Sequence, residues 1–548
     1  MSIRLLCMEK IHAEEFFMEQ MRRNLKRVVW ILAVLILALV VRLFWIQVLG
    51  SEDLKLAVCD QSLISLQGAN TRGLIYDRNG LPMVADHKRY LYIIRKKDMD
   101  FQAAKLLASA DAEETGSRGD YYVYSSRKYK KTIGKKLCEK YNAYILQASC
   151  RYQDHQTAAN LIGYVNQGDS SGAAGLELMC DRQLSKSCRR LYAAADVKGN
   201  LLPGRGLIAE SGKNGGRGEV WTTIDKKLQE EVETVMAGYE DDCAVVVIKK
   251  SSGDVLAMAC TPAFNPNDIS GHIARSQNEL LNKATQGEYA PGSVFKIVVA
   301  AAALEAGIPA DQKFCCTGSV TLGSLEVRCK TGGEEGHGTI GMQEAFAQSC
   351  NSYFIQLGQR TGENKICEMA KKMGLGKRAL KKYPQQSTGH VMTNQECSGA
   401  GIGNLSIGQG QTLVTPLQIA RMTAIVASDG VDHGAHILLS EKTGKRRILS
   451  KDTARQIRSM MCLVTEEGTA QNMGLVDPDG SAAAAVKTGT AQYGRQEDGN
   501  SYGWLTGFTP CKNPEYIVTV FAGGSDRTAS DAGPLYRRIV KYLNSHYD

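Results

Sequence analysis

The sequence predicts a protein of the α/β (α+β) class that one N-terminal helix attaches to a membrane. Three observations lead to this prediction. A long apolar run lies between Val28 and Leu49, helix and strand patterns mix in residues 50–215, and strand patterns lie at both ends of residues 216–548, with helical ones between them. Because those strand patterns are far apart in sequence, we expect one antiparallel sheet that distant parts of the chain share.

Length and composition set the broad class. The chain has 548 residues, of which 43% are hydrophobic and 22% charged, so two or three folded units with ordinary cores are expected. The formal net charge of +9 is spread along the chain, and no zinc-finger, helix-turn-helix or basic-zipper pattern accompanies it. This composition argues against a nucleic-acid partner and suits an anionic membrane or cell-wall surface.

The apolar run predicts a membrane anchor over residues 28–49. Its length approaches the roughly 20 residues that a helix needs to cross a bilayer, and Arg42 lies near one end, where its side chain can reach the interface. Basic residues just before the run predict a cytoplasmic tail, residues 1–27, and place the remainder outside the cytoplasm. A cleaved signal peptide is the alternative, but the run is longer than a usual signal core and no A-x-A site directly follows it.

Residues 50–215 are predicted to form a mixed α/β extracytoplasmic domain, which the glycine-rich linker Gly212–Gly218 separates from residues 216–548. Within it, Thr71–Gly80 has the pattern of a strand that enters a turn at Asn79-Gly80. Taken alone, this segment indicates structure and no chemistry.

Local signals also predict elements in residues 216–548. Asp225 is expected to cap a helix over Lys226–Met236, and two apolar runs, Ala244–Ile248 and Val255–Cys260, are expected to form an antiparallel hairpin. Near the C-terminus, Tyr516–Ala522 is strand-like, and Pro534–Leu543 is predicted to be a closing helix with Pro534 in its first turn.

The first chemical motif is Ser293-Val294-Phe295-Lys296. A serine hydroxyl needs a base within hydrogen-bond reach to act as a nucleophile at neutral pH, and residues three apart share one face of a helix. The apolar segment that follows predicts a buried helix, and burial lowers the pKa of a lysine toward that of a useful base. We therefore expect Lys296 to activate Ser293.

Two further motifs follow in the chain. In Ser349-Cys350-Asn351, the hydroxyl can relay a proton and the carboxamide can hold a substrate peptide group. The segment Lys487-Thr488-Gly489-Thr490 has the pattern of a strand in which the glycine admits a substrate backbone, and its lysine and hydroxyls can bind a carboxylate. A backbone N–H of this strand, with that of Ser293, can form an oxyanion hole.

Other reactive residues leave alternatives open. Cys350 is interpreted as a packing group, with a redox-sensitive thiol as the alternative, and His337 as a structural loop residue rather than a base. A disulfide between Cys316 and Cys329 is compatible with an exported domain, and the sequence does not decide it. We found no metal-ligand spacing and therefore expect neither a metal nor another cofactor.

The ordered motifs S-x-x-K, S-x-N and K-T-G resemble those of class B penicillin-binding proteins, which are peptidoglycan D,D-transpeptidases. Neighbouring segments add to the likeness, and upstream segments resemble the family's membrane-proximal pedestal, a dimerisation-like domain. The segments are Asn282–Ala284, Tyr289–Lys296, Ser406–Gly410, Thr415–Gln418 and Gly503–Phe508, and upstream Arg72-Gly73, Asp77–Gly80 and Gly175–Glu177.

The resemblance implies a transpeptidase fold in which helices flank a mainly antiparallel sheet, with an all-helical subdomain. It implies that Ser293 attacks the D-Ala-D-Ala end of a peptidoglycan stem peptide, with Lys296 as base and Ser349 as proton shuttle. Asn351 and Lys487 would order the site, and Thr488 and Thr490 would hold the terminal carboxylate beside Gly489. β-Lactams would acylate Ser293, a carboxypeptidase side activity is compatible, and a membrane glycosyltransferase of the SEDS family would be a partner.

Other functions are less compatible with the sequence. A β-lactamase shares the nucleophile, but the long pedestal and the anchor argue against it, and a β-lactam sensor would need a signalling domain before the anchor. The intact motifs argue against an inactive scaffold, and residues 51–215 show no glycosyltransferase signature. The sequence leaves open the acceptor amine, the oligomeric state, the β-lactam affinity and the choice between elongation, division and sporulation.

Overall fold

One helix of 20 residues, Leu25–Phe44, carries the apolar run, and its side chains are exposed along its whole length. It is long and apolar enough to cross a membrane, which supports the predicted anchor. The described part of the helix includes Leu25, ahead of Val28 where the predicted span begins, and the end of that span lies outside the described residues. The computed structural model describes residues 21, 25–44, 63–65, 72–84, 87–118, 121–153, 155–166, 171–187, 189–194, 207–211, 218–275, 278–322, 325–329, 332–397, 399–441, 444–477, 480–493, 500–524 and 526–547.

The region after the anchor is mixed α/β, as predicted. Two helices, Phe101–Ser109 and Lys131–Tyr141, pack through Leu107 and Leu137 against an antiparallel sheet of four strands. Those strands lie in the order Glu113–Arg118, Tyr121–Ser126, His87–Arg95 and Tyr144–Cys150. A second sheet holds Leu63–Ser65, Arg189–Ala194 and Leu207–Ser211, and short helices span Ala159–Ile162, Gly175–Met179 and Asp181–Leu184.

A buried ion cluster joins two of the three upstream segments that resemble the family's pedestal, Arg72-Gly73 and Gly175–Glu177. Glu177 is fully buried and accepts hydrogen bonds from Arg72 Nε at 3.1 Å and Arg151 Nε at 2.6 Å. The hydroxyl of Tyr152 donates a third hydrogen bond to Glu177, at 3.0 Å. Two guanidinium groups thus surround one buried carboxylate, which compensates part of their charge, and Arg72 also pairs with Asp181 at 2.8 Å.

The segment that follows Arg72 in the chain attaches the first region, within residues 50–215, to the second region, within residues 216–548. Its two-residue strand, Ile75–Tyr76, pairs in parallel with Val220–Trp221. The buried carboxylate of Asp77 accepts hydrogen bonds from the N–H groups of Asn79, Leu81 and Lys226, and the last of these begins the helix Lys226–Met236. The boundary that we predict between residues 215 and 216 stays a prediction, since residues 212–217 lie outside the described part of the chain.

An antiparallel sheet of five strands forms the centre of the second region. The strands are β1 (Cys243–Lys249), β2 (Val255–Thr261), β3 (Ala485–Gln492), β4 (Ser501–Thr509) and β5 (Tyr516–Ala522), in the spatial order β2-β1-β5-β4-β3. The predicted hairpin and the predicted strand near the C-terminus are confirmed. β5 inserts between strands from the two ends of the region, so the sheet joins distant parts of the chain, as expected.

Helices cover both faces of this sheet, which explains why its central strands are buried along almost their whole length. Lys226–Met236, capped by Asp225 as predicted, packs with Ala529–His546 on one face, and Pro416–Ala427 packs with Lys451–Glu466 on the other. The remaining helices are Ile269–Ala274, Lys296–Glu305, Met342–Ala347, Asn351–Thr361, Glu363–Lys372 and Gly401–Ser406. The short strands are Phe314–Cys316, Ser319–Leu322, Leu325–Arg328, Gly338–Ile340, Val431–Asp432 and Arg446–Arg447.

The closing helix differs from its predicted bounds. It spans Ala529–His546, so Pro534 lies inside it and not in its first turn. A capping box, in which the side chains of Thr528 and Asp531 accept hydrogen bonds from each other's backbone N–H groups, begins the helix before this proline. One disulfide, Cys462–Cys511, joins helix Lys451–Glu466 to the turn that follows β4.

Replacing Glu177 by alanine should strongly destabilise the protein, because the change leaves Arg72 and Arg151 next to each other without their shared carboxylate. We expect a loss of about 3–5 kcal/mol in the free energy of unfolding of that region. Urea unfolding of the detergent-solubilised protein, followed by circular dichroism, measures the loss. Glu230→Ala, at an exposed position, is the control, and equal effects of the two changes would contradict the role given to the cluster.

Candidate active site

Ser293 lies on a tight turn that packs against β3. Residues Gly292–Phe295 form one turn of 3-10 helix, and the α-helix Lys296–Glu305 follows directly, so the predicted single helix begins with a tighter turn. Gly292 has a φ of 54°, and a Cβ there would lie 2.6 Å from the carbonyl oxygen of Thr490. Glycine is therefore required where the turn meets the strand, and the turn leaves Ser293 half-buried beside it.

Lys296 is fully buried and points at the S-x-N motif. Its Nζ donates hydrogen bonds to the carbonyl oxygen of Ser349 at 2.5 Å, to Ser349 Oγ at 3.2 Å and to Asn351 Oδ1 at 2.8 Å. Burial lowers the pKa of Lys296 from its ordinary 10.5 to about 7, while the thiols of Cys350 and Cys329 act in the opposite direction. A substantial neutral fraction, which is the form that accepts a proton, is thus present near neutral pH.

The S-x-N motif occupies the turn between the helices Met342–Ala347 and Asn351–Thr361. Ser349 adopts a left-handed conformation, with a φ of 55°, which is uncommon for a residue other than glycine. Cys350 is the N-cap of the second helix, and Asn351 Nδ2 donates to the carbonyl oxygen of Arg328 at 3.2 Å. The turn is therefore fixed by the two residues that follow Ser349.

Lys487 of β3 approaches Ser349 from the other side. It is fully buried, and its Nζ donates to Ser349 Oγ at 3.1 Å and to the carbonyl oxygen of Thr488 at 3.0 Å. Burial, and after it the charge of Lys296, hold the pKa of Lys487 well below its ordinary value. One hydroxyl thus receives hydrogen bonds from two lysines that come from distant parts of the chain.

The rest of the K-T-G-T motif lies along β3, an edge strand of the sheet. A Cβ at Gly489 would lie 3.0 Å from Val294 Cγ1, so this glycine lets the strand pack closely on the Ser293 turn. Thr488 Oγ1 lies 2.5 Å from Thr469 Oγ1, and half-buried Thr490 lies two residues further along, on the same face. No motif in the sequence marked Thr469.

The structure joins four of the predicted site residues by direct hydrogen bonds: Lys296, Ser349, Asn351 and Lys487. Ser293 and Thr488–Thr490 lie beside this network through the packing of the turn on β3. Among the described residues, no hydrogen bond joins Lys296 to Ser293, although nucleophile–base contacts are often long without substrate. The roles assigned to these residues stay predictions.

Comparisons with known proteins identify the family. The model of the penicillin-binding protein transpeptidase domain matches residues 243–541. Peptidoglycan D,D-transpeptidase PbpA of Mycolicibacterium smegmatis is 30% identical over 419 residues, covering 70% of this chain and 81% of that protein. This chain is a class B penicillin-binding protein. PbpB of the same organism is 28% identical over 592 aligned residues, which cover 94% of this chain and 88% of that protein.

A solved structure has the same fold. Penicillin-binding protein PBP2 of Helicobacter pylori superposes with a TM-score of 0.68 at 21% identity, covering 89% of this chain and 99% of that one. The penicillin-binding fold that the sequence predicted, with its mainly antiparallel sheet and flanking helices, is therefore confirmed.

The structure of this penicillin-binding protein answers a question about its cysteines that the sequence left open. Cys316 and Cys329 are not joined by a disulfide; both lie with His337 and Cys350 in one cluster whose metal-binding atoms are all within 4.8 Å of one another. No metal-ligand spacing marks this cluster in the sequence, because none of its neighbouring members has the short spacing of the paired ligands in common zinc motifs. Cys350, interpreted as a packing group, and His337, interpreted as a loop residue, thus share one site.

The lowered pKa of Lys296 predicts a pH dependence. Lys296 must be neutral to accept a proton, so the rate constant for reaction of Ser293 with a fluorescent penicillin should fall as the pH drops through about 7. We expect roughly a tenfold loss for each pH unit below that value and a plateau above it. Stopped reactions analysed on gels measure the rate. Lys365→Arg, at an exposed position, should keep the profile, and a flat profile of the wild type between about pH 5 and 8 would refute the role of Lys296.

Proposed function

We propose that this protein is a serine D,D-transpeptidase that cross-links peptidoglycan stem peptides through an acyl-enzyme on Ser293. The observation that carries the proposal is the convergence of Lys296 and Lys487 on Ser349 Oγ, next to the turn that presents Ser293. The relatives named peptidoglycan D,D-transpeptidase support the substrate class.

Acylation begins when Ser293 Oγ attacks the carbonyl carbon of the penultimate D-alanine. Its proton passes to neutral Lys296, and the tetrahedral oxyanion is stabilised by backbone N–H groups of Ser293 and β3. Collapse of the intermediate breaks the peptide bond, and Ser349 relays the proton to the departing amine of the terminal D-alanine. Asn351 keeps Lys296 in place through a hydrogen bond of 2.8 Å.

The acyl group then passes to an acceptor. The amine of a neighbouring stem peptide attacks the ester carbonyl, a cross-link forms, and Ser293 recovers its proton. Water in place of that amine would give the carboxypeptidase side reaction. A β-lactam enters the first step as a substrate mimic, and its ring opens when Ser293 attacks.

The edge position of β3 supports a peptide substrate. An extended stem peptide can add to this edge as a further strand, because the sheet order gives β3 a neighbour on one side. The hydroxyls of Thr488 and Thr490, on one face of the strand, would then bind the terminal carboxylate, and Lys487 supplies positive charge nearby. Gly489 leaves the backbone open to the approaching peptide.

We further propose that helix Leu25–Phe44 anchors the protein with its N-terminus in the cytoplasm and its catalytic domain outside, on the side of the cell wall. The basic residues before the helix support this orientation. A transpeptidase needs a supply of new glycan strands, so a SEDS-family glycosyltransferase in the same membrane is the proposed partner.

Labelling with a fluorescent penicillin tests the nucleophile. Ser293→Ala removes the attacking oxygen, so we expect labelling to fall by roughly 1,000-fold or more while the fold persists. Ser545→Ala, at an exposed position of the last helix, should label like the wild type. Equal labelling of wild type and Ser293→Ala would refute the proposal.

The lifetime of the penicilloyl-enzyme separates a transpeptidase from a β-lactamase. Among the described residues, no carboxylate forms an ion pair with Lys296 or Lys487, so no acidic side chain is placed beside them to activate a water molecule. We therefore expect the adduct on Ser293 to persist for many minutes in buffer, which mass spectrometry of the intact protein measures. Release within seconds would favour a β-lactamase and contradict the transpeptidase.

A further inference from the structure

The cluster of Cys316, Cys329, His337 and Cys350 brings together four chain segments. Cys316 ends the strand Phe314–Cys316, and Cys329 follows the strand Leu325–Arg328. His337 precedes the strand Gly338–Ile340, and Cys350 caps the helix Asn351–Thr361. The three cysteines are buried and His337 is half-buried, so the cluster lies beneath the surface with one side near solvent.

Two separations between side-chain atoms of the cluster match those of a tetrahedral metal site. Cys329 Sγ lies 3.6 Å from Cys350 Sγ and 3.6 Å from His337 Nδ1. With bonds of about 2.3 Å to sulfur and about 2.0–2.1 Å to nitrogen, the ligands of tetrahedral zinc lie about 3.5–3.8 Å apart. A disulfide would instead place two sulfurs about 2.05 Å apart. These two separations therefore fit ligands that share one ion, and the remaining pairs lie within 4.8 Å.

The surroundings support metal-bound thiolates. The N–H of Tyr353 donates to Cys350 Sγ at 3.4 Å, and Cys350 lies at the N-terminus of an 11-residue helix, whose dipole favours a negative sulfur. His337 Nε2 is buried and has no hydrogen-bond partner among the described residues, while Nδ1 contacts Cys329 Sγ, so the contact that these residues give the imidazole nitrogens comes from the cluster itself. A Cys3His set is a common structural zinc site.

We propose that Cys316, Cys329, His337 and Cys350 bind one Zn²⁺ ion, and that this ion holds the Ser349–Asn351 turn in place. Each thiol loses its proton to solvent as its sulfur binds, and no redox change is involved. All four positions are filled by protein ligands, so the ion has a structural and not a catalytic role.

The link to the active site follows from the chain itself. Cys350 lies between Ser349 and Asn351, and Asn351 Nδ2 bonds the carbonyl oxygen of Arg328, the residue before Cys329. An ion that ties Cys329 to Cys350 therefore clamps the two segments that hold Ser349 and Asn351 against Lys296. Loss of the ion would free the turn, with its left-handed Ser349, to relax.

Metal content is the direct test. The detergent-solubilised full chain, purified with its thiols reduced, should contain about one zinc per molecule by mass spectrometric metal analysis. Cys329→Ser and His337→Ala should lose zinc to a competing chelator at least about tenfold more readily than the wild type. Cys315→Ser, at the exposed neighbour of Cys316, is the matched control and should retain zinc like the wild type.

A second measurement keeps the test decisive if those variants fold poorly. Wild-type protein, stripped with a chelator and refilled with Co²⁺, should show the visible absorption of a tetrahedral sulfur-rich cobalt site. A wild type that binds neither zinc nor cobalt, or a disulfide between Cys316 and Cys329 in the reduced preparation, would overturn the proposal. Retention of the ion by both ligand variants would do the same.

The proposal that the zinc ion holds the Ser349–Asn351 turn, called the clamp here, rests on the proposed function. One experiment distinguishes failure of the clamp from failure of the proposed function. Removal of zinc from the wild type should slow labelling by fluorescent penicillin at least about tenfold, and added zinc should restore it. If the zinc-loaded wild type does not label at all, the proposed function fails and the metal site stands. If it labels equally with and without zinc, the clamp fails and the proposed function stands.

Discussion

Two buried lysines that share one hydroxyl impose the main constraint on this structure. Lys296 and Lys487 are both fully buried, and among the described residues neither has a carboxylate partner. Burying two ammonium groups side by side is unfavourable, so the pKa of each falls, and hydrogen bonds to Ser349 and its neighbours replace their hydration. The same arrangement that disfavours charge supplies the neutral amine that a serine nucleophile needs.

Close backbone packing makes this arrangement attainable. The Ser293 turn meets β3 at Gly292 and Gly489, where a side chain would collide with Thr490 or Val294. Gly408 closes the turn from another side, since its carbonyl oxygen accepts a hydrogen bond from the N–H of Gly292. The network thus depends on glycines, because only a residue without a side chain lets the turn and the strand pack this closely.

Contacts outside the active site connect the parts of the molecule and so position the site. The Glu177 ion cluster holds segments of the first region together, and the pairing of Ile75–Tyr76 with Val220–Trp221 joins that region to the second. Helix Leu25–Phe44 is suited to a membrane. The cysteine cluster has a more local task. It lies directly behind the turn that carries Ser349, where a bound ion would resist the strain that the turn stores.

Much of this protein could be predicted from its sequence. The hairpin β1–β2, strand β5 and the cap at Asp225 depend on neighbours in the chain, and the three motifs carry their chemistry in residue type and order, so a single sequence contains them. The predicted start of the closing helix, Pro534, is wrong because the helix cap at Thr528 lies before that proline in the chain.

Tertiary structure decided the contacts between residues that are far apart in sequence. Lys487 reaches Ser349 across 138 residues, and Arg72 reaches Glu177 across 105. The left-handed turn at Ser349 and the meeting of three cysteines with His337 depend on the packing of several segments at once. Sequence alone determined which groups are present and which elements form locally. Only folding, through burial and long-range packing, determined which groups meet.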